Sequence, residues 1–338
     1  MNKRVYGLDY LRGLCALLIA IYHLLKWSDI HLSQDSLISK MGIYGVAIFF
    51  ALSGYALQHV YGNTFFNLEN TKDFFKKRFV RIFPLLWVVI TITLFATAKE
   101  FSLFEILLNY TGTFSLIRPD AYIAGGSWSI GVELVFYLLF PLLIILINIK
   151  FYKWFIFLIL FSIFCYFAFI LMDSNVPISE NWTLYVNPLN QVLFFYSGML
   201  LSKIKVKIST LLALIGAICL LIIMYLLEVD VTQSVIITGF NRVIYFVLSI
   251  GLVWLFASVE LVKNKVHDVL VFLGDISYSL YLIHPLVYGV INKLVDFMNL
   301  DNLALVLFIK IVSSLFISYI SFIIIEKRGK KLLSKIFN

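Results

Sequence analysis

The chain is 338 residues long, 62% hydrophobic and only 14% charged, with a formal net charge of +8. Soluble domains carry about a quarter charged residues, so this composition excludes an ordinary soluble protein and describes a chain that passes repeatedly through a bilayer. The positive balance fits Lys and Arg held at a cytoplasmic membrane face, and nucleic acid is not an expected partner.

Hydropathy predicts spans at 8–26, 41–60, 80–98, 127–148, 154–171, 187–202, 208–227, 237–258, 268–290 and 303–325. The first is long enough to cross and has no small-residue cleavage site, so it reads as a retained helix. Its apolar run from Gly7 to Leu25 carries Arg12 and His23. Eleven residues at 100° each return to nearly the same angle, so both leave one face, roughly 16 Å apart along the axis. Ionisable groups in such a helix are rare unless they line an interior path or site. In the second span, Ser53 and Gly54 offer a close-packing spot. The third opens with KKRFVRIFP, placing Arg78 and Arg81 one turn apart on one face at its mouth.

The stretch 101–118 is apolar but interrupted by Glu105, Asn109 and several Ser and Thr. If it crossed, Lys203, Lys205 and Lys207 would fall outside, against the orientation rule. It is therefore expected to be an outer-surface or re-entrant segment, leaving about ten transmembrane helices with both termini cytoplasmic. Most of the 27 Lys and Arg then lie on the cytoplasmic side. The fourth span begins GSWSIGVELVFYLLFP, with Ser129 and Glu133 on a shared face in its outer half. The ninth reads GDISYSLYLIHPLV, with Ser277, Tyr281 and His284 on one stripe and His284 in the outer half. The chain after Ile325 is a short basic amphipathic stretch expected to lie along anionic headgroups. The expected division is a membrane domain over 1–326 and a cytoplasmic tail over 327–338. Cys15 and Cys165 sit in apolar runs without spacing for zinc or a disulfide framework, and no metal site is expected.

The predicted depths form a pattern. Arg12, Arg78 and Arg81 gather at the cytoplasmic side, whereas His23, His284 and Glu133 gather toward the other. Guanidinium forks are the usual partners of phosphate, and His beside a carboxylate is a usual general-base arrangement. The combination suggests a phosphate-bearing donor entering from the cytoplasm and proton-coupled chemistry near the outer face. Plainer readings stand beside it. Arg78 and Arg81 adjoin Lys76 and Lys77 and read equally as topology determinants. Arg12 can snorkel to the inner interface. His284 precedes Pro285 and can bond a carbonyl freed by the helix break. A proton-coupled transporter or export partner for an anionic solute is the alternative to an enzyme, although no inverted repeat is evident.

Five strings taken together resemble the membrane acyltransferase-3 family: LDYLRGLCALLIAIYH, GVAIFFALSGY, KKRFVRIFP, GSWSIGVELVFYLLFP and SYSLYLIHP, in family order over nearly the whole chain. The resemblance implies an all-α polytopic helix bundle that transfers an acyl group, often acetyl, from cytoplasmic acyl-CoA to a hydroxyl. The implied acceptors are sugars of envelope or exported polysaccharides, or their lipid-linked precursors. Acetyl-CoA would be the donor substrate, with no permanently bound cofactor. The implied location is a bacterial cytoplasmic membrane, with membrane lipids as further partners. The implied donor-binding residues are Arg12, Arg78 and Arg81. His23 would be the general base or a transient acyl carrier, and Glu133 would orient it. Trp128, Ser129, Tyr281 and His284 would bind substrate. One departure is Leu134 after Glu133, where family members often have a second acid; another is Glu326-Lys327-Arg328 in place of a Glu-x-Pro motif.

Overall fold

The computed structural model describes residues 4–28, 30, 35–227, 234–260 and 264–329. Among these, helices α1 (Tyr6–Lys26), α2 (Leu37–Tyr61), α3 (Leu68–Ala96), α4 (Leu103–Thr111), α5 (Phe114–Ile117) and α6 (Ser127–Leu146) come first. Then follow α7 (Lys150–Tyr166), α8 (Trp182–Tyr185), α9 (Pro188–Leu201), α10 (Thr210–Leu226), α11 (Gly239–Ser258), α12 (Lys265–Met298) and α13 (Leu303–Ser321). Two of them run on into π-helical turns, α7 through Phe167–Leu171 and α13 through Phe322–Lys327. The chain is an all-α, multi-pass membrane bundle, and among the described residues eight helices are long and apolar enough to cross a membrane. The helices α9 and α10 are shorter, roughly 21 and 26 Å against a hydrocarbon core of about 30 Å. Nearly all of α9 is buried by its neighbours, so it meets little lipid.

Helix α3 starts at Leu68, well before the span predicted from 80, because Asn67 caps it by accepting from the Asn70 N–H at 2.8 Å and Phe74 is fully buried. The segment 101–118 forms two short helices, neither long enough to span, joined at Gly112 with φ +71°. Ser102 caps α4, and its backbone N–H and hydroxyl hold the exposed Glu105 carboxyl below its usual range. Asn109 locks the segment by donating to Ala121 O (2.7 Å) and accepting from Ile123 N–H (2.9 Å). Residues 330–338 of the expected tail lie outside the described residues.

Contacts between chain turns define two ends of the bundle. At one, Asn148 donates to Gly62 O, Lys203 donates to Ile147 O and Asn148 Oδ1, Ile208 pairs with Val259, and Arg4 bridges Asp275. At the other, Lys310 donates to Ser28 Oγ, Lys293 to Ala96 O, and Asn181 to Ser234 Oγ. We call these the arginine end and the histidine end, after the side chains of α1 nearest each.

Two close crossings hold the centre. A Cβ on Gly13 would lie 2.7 Å from Gly274 N, and one on Gly274 would lie 2.5 Å from Asp9 O. Only glycine lets α1 and α12 approach this closely, and the approach brings the His23 face of α1 onto α12. Likewise a Cβ on Gly54 would lie 1.9 Å from Phe195 O of α9. Gly54→Val is therefore expected to destabilise the protein by about 3 kcal/mol. Thermal melting in detergent checks this, with Gly289→Val as control because nothing lies within 4 Å of a Cβ there.

Candidate active site

Five helices build a cleft of about 640 Å³ in the arginine half. It is lined by Arg12 of α1, Ser53 of α2, Arg78 and Arg81 of α3, Ser129 and Glu133 of α6, and Ser277, Tyr278 and Tyr281 of α12. The three arginines thus meet in space, although 66 residues separate Arg12 from Arg78 in the chain. Arg12 Nη1 lies 3.4 Å from Asp9 Oδ1, and Asp9 is also held by Arg4 Nε at 2.6 Å. The Arg78 guanidinium stacks over Phe74 (5.8 Å) and Tyr137 (5.7 Å), and its buried Nε has no hydrogen-bond partner. Arg81 feels the charges of Glu133 and Glu326. A buried, under-satisfied guanidinium beside an open cleft is a ready receptor for an anion.

Glu133 belongs to this cleft and not to the histidine. Its Oε1 accepts a hydrogen bond from Ser53 Oγ at 2.6 Å and another from Tyr137. The expectation that Glu133 orients His23 is therefore corrected: α6 turns this carboxylate toward the arginines, where it balances part of their charge. Tyr137 lies four residues on from Glu133, the spacing that could have flagged it in the sequence. Glu326, noted for its altered motif, is buried and accepts from Ser279.

A second, larger cavity of about 2,360 Å³ opens in the histidine half, lined by His23, Lys26 and Trp27 of α1 together with Tyr122, Gly126, Trp128, Trp182, Tyr185 and Tyr281. The His23 ring is held from two directions: Trp27 stacks on its face at 4.5 Å and 8°, and His284 meets its edge, nearly coplanar at 13°, with His284 Nε2 2.9 Å from His23 Nδ1. Trp27 is one helical turn after His23, a spacing that sequence reading passed over.

His284 is not a substrate contact. It is fully buried, with one ring nitrogen 2.8 Å from Leu280 O and the other 2.9 Å from His23 Nδ1. Neither nitrogen is left for an acceptor, which corrects the expected substrate-binding role. Trp128 does line the large cavity, with edge-to-face contact to Trp182 at 5.6 Å. Ser129 lines the arginine cleft instead, and its Oγ donates to Tyr281 Oη at 2.9 Å.

Tyr281 lines both spaces. Its hydroxyl accepts from Ser129 and donates to Gly126 O at 3.0 Å, and Phe49 packs edge-on at 5.8 Å. Gly126 caps α6 with φ +80°, the left-handed backbone that calls for glycine, and it lies in van der Waals range of the Tyr281 ring. Tyr281 is thus common to the linings of the cleft and the cavity, with its hydroxyl tied to the start of α6.

The match to known proteins follows this geometry. A family model described as an acyltransferase domain matches residues 5–323. The chain belongs to the membrane acyltransferase-3 family. It is also similar to a protein of Acidianus two-tailed virus named "Putative acetyltransferase ORF330". The two are 28% identical over 284 residues, covering 82% of this chain and 81% of that protein. No solved structure matches. The enzyme is therefore a multi-pass membrane acyltransferase with two spaces that share Tyr281 in their linings, one bearing arginines and one bearing His23.

Proposed function

We propose that this acyltransferase moves an acetyl group from cytosolic acetyl-CoA to a hydroxyl of an envelope or exported carbohydrate, or its lipid-linked precursor, at the opposite face of the cytoplasmic membrane. The observation that carries the reading is the back-to-back arrangement of an arginine-lined cleft and an aromatic, histidine-bearing cavity, with Tyr281 common to both. The basic loops at the arginine end favour the cytosol for that face, with ten helices crossing. Arg12, Arg78 and Arg81 hold the phosphates of the donor, and its acyl arm runs along α1 toward His23, roughly 16 Å away. Acetyl-CoA is consumed as a substrate.

Trp27, Trp128 and Trp182 supply apolar faces suited to the C–H faces of a sugar ring, while Lys26 and the tyrosine hydroxyls reach its oxygens. In the reaction, His23 Nε2 takes the proton of the acceptor hydroxyl as its oxygen attacks the thioester carbonyl. The C–S bond breaks, and the proton returns to the leaving sulfur, giving ester and thiol with no net proton change.

Labelled acetyl-CoA supplied to sealed inside-out vesicles, arginine end outward, is expected to label the enclosed glycan, whereas right-side-out vesicles given the same donor remain unlabelled. Equal labelling in both orientations overturns the sidedness. Flux of an anionic solute with no label transfer supports a transporter instead.

A further inference from the structure

The contact between His23 and His284 specifies more than proximity. A backbone carbonyl can only accept, so the His284 nitrogen 2.8 Å from Leu280 O carries a hydrogen. That nitrogen is Nδ1, and in a neutral imidazole the other nitrogen, Nε2, is then a bare lone pair. His23 Nδ1 lies 2.9 Å from this Nε2 and must therefore be the donor. A neutral His23 with hydrogen on Nδ1 has its own lone pair on Nε2. His23 lines the large cavity, and no described residue bonds its Nε2. The protonation pattern of the base is set two bonds away, by one main-chain carbonyl of α12.

Pro285 loosens this turn: lacking an N–H, it leaves the Tyr281 carbonyl, four residues earlier, without its helical donor, while Leu280 O takes the His284 ring N–H on its second lone pair. The His284 ring fills that break, facing the carbonyls of both residues. Trp27 stacks on the face of His23 at 4.5 Å and restricts rotation of the ring.

We propose that His284 is the positioning residue of the reaction, holding His23 in the tautomer and orientation that present Nε2 to the acceptor hydroxyl. The inference rests on His23 acting as the base. His284 takes the place that a carboxylate holds in acid–histidine pairs, without burying an additional negative charge in the bilayer interior. When His23 takes the acceptor proton, its Nδ1–H bond to His284 becomes charge-assisted and shortens. The added proton stays on His23 Nε2 until the thiolate removes it, so the pair ends each cycle as it began.

The test uses the full chain in lipid nanodiscs and in membrane vesicles. In nanodiscs, ¹⁵N-histidine NMR of the wild-type protein is expected to show His23 protonated at Nδ1 and bare at Nε2; the opposite tautomer overturns the proposal whether or not any variant folds. In vesicles with labelled acetyl-CoA, His284→Leu is expected to lose on the order of 100-fold in kcat with the donor KM unchanged. His284→Gln, which keeps an acceptor for His23 and a donor for Leu280, is expected to recover to within about tenfold of wild type. Wild-type turnover in His284→Leu, or equal loss in the two variants, overturns the positioning role. His23→Ala separates the two levels. An inactive His23→Ala beside an active His284→Leu sinks only this inference, whereas an active His23→Ala sinks the base assignment beneath it.

Discussion

His23→Ala is expected to reduce acyl transfer by about 10²–10⁴-fold, the usual contribution of a positioned general base, which is about 3–5 kcal/mol of barrier. Protein abundance should stay near wild type. His23 is only partly buried, and its ring stacks on Trp27 and hydrogen-bonds the His284 ring without anchoring another helix's backbone. Its removal leaves a space open to the large cavity and not a sealed void, which keeps the packing penalty small. Label transfer from acetyl-CoA to glycan in vesicles, normalised to protein by immunoblot, is the measurement. Transfer at the wild-type rate would reject the base assignment, leaving the family membership intact.

The second large effect is expected at Arg78. Its Nε is buried without a partner, so the unliganded protein already bears the desolvation of that group. A phosphate oxygen bonding there gains a charge-assisted contact of about 1.5–3 kcal/mol. Arg78→Ala should accordingly raise the KM for acetyl-CoA by roughly 10- to 150-fold, with a smaller change in kcat. Arg78→Lys should restore little, because an ammonium lacks the planar fork and stacks poorly between Phe74 and Tyr137. Initial-rate kinetics over a range of donor concentrations separates the two parameters. An unchanged KM in Arg78→Ala would reduce this arginine to a topology signal.

Much of this site is legible in the sequence because depth in a membrane follows position along a helix. Arg12 and His23 share a face at fixed spacing, and the basic run before Pro84 must lie at one end of its helix. Rotation about each helix axis is what the sequence leaves open. The reading placed Glu133 by its distance from the start of α6, but which neighbour it faces depends on how α6 packs between α2 and α3. The carboxylate finds Ser53 and Tyr137. His284 illustrates the same gap differently. The break at Pro285 suggests that the ring bonds a carbonyl, yet its second partner comes from a helix 261 residues away. The close approach that brings them together depends on Gly13 and Gly274, two glycines that look unremarkable in an apolar helix. In α3, hydropathy begins the span at 80 because the charged run masks the earlier turns, which the buried Phe74 holds against the bundle.

An energised membrane tests Tyr281 in a way that catalysis does not. If the spaces on its two sides hold water, the transmembrane voltage drops most steeply across the residues between them, Tyr281 included. One elementary charge falling through 100 mV releases about 2.3 kcal/mol, comparable with the roughly 1 kcal/mol apiece of the two hydrogen bonds that tether the ring. The edge-on packing of Phe49 then joins those tethers in holding the ring against the field.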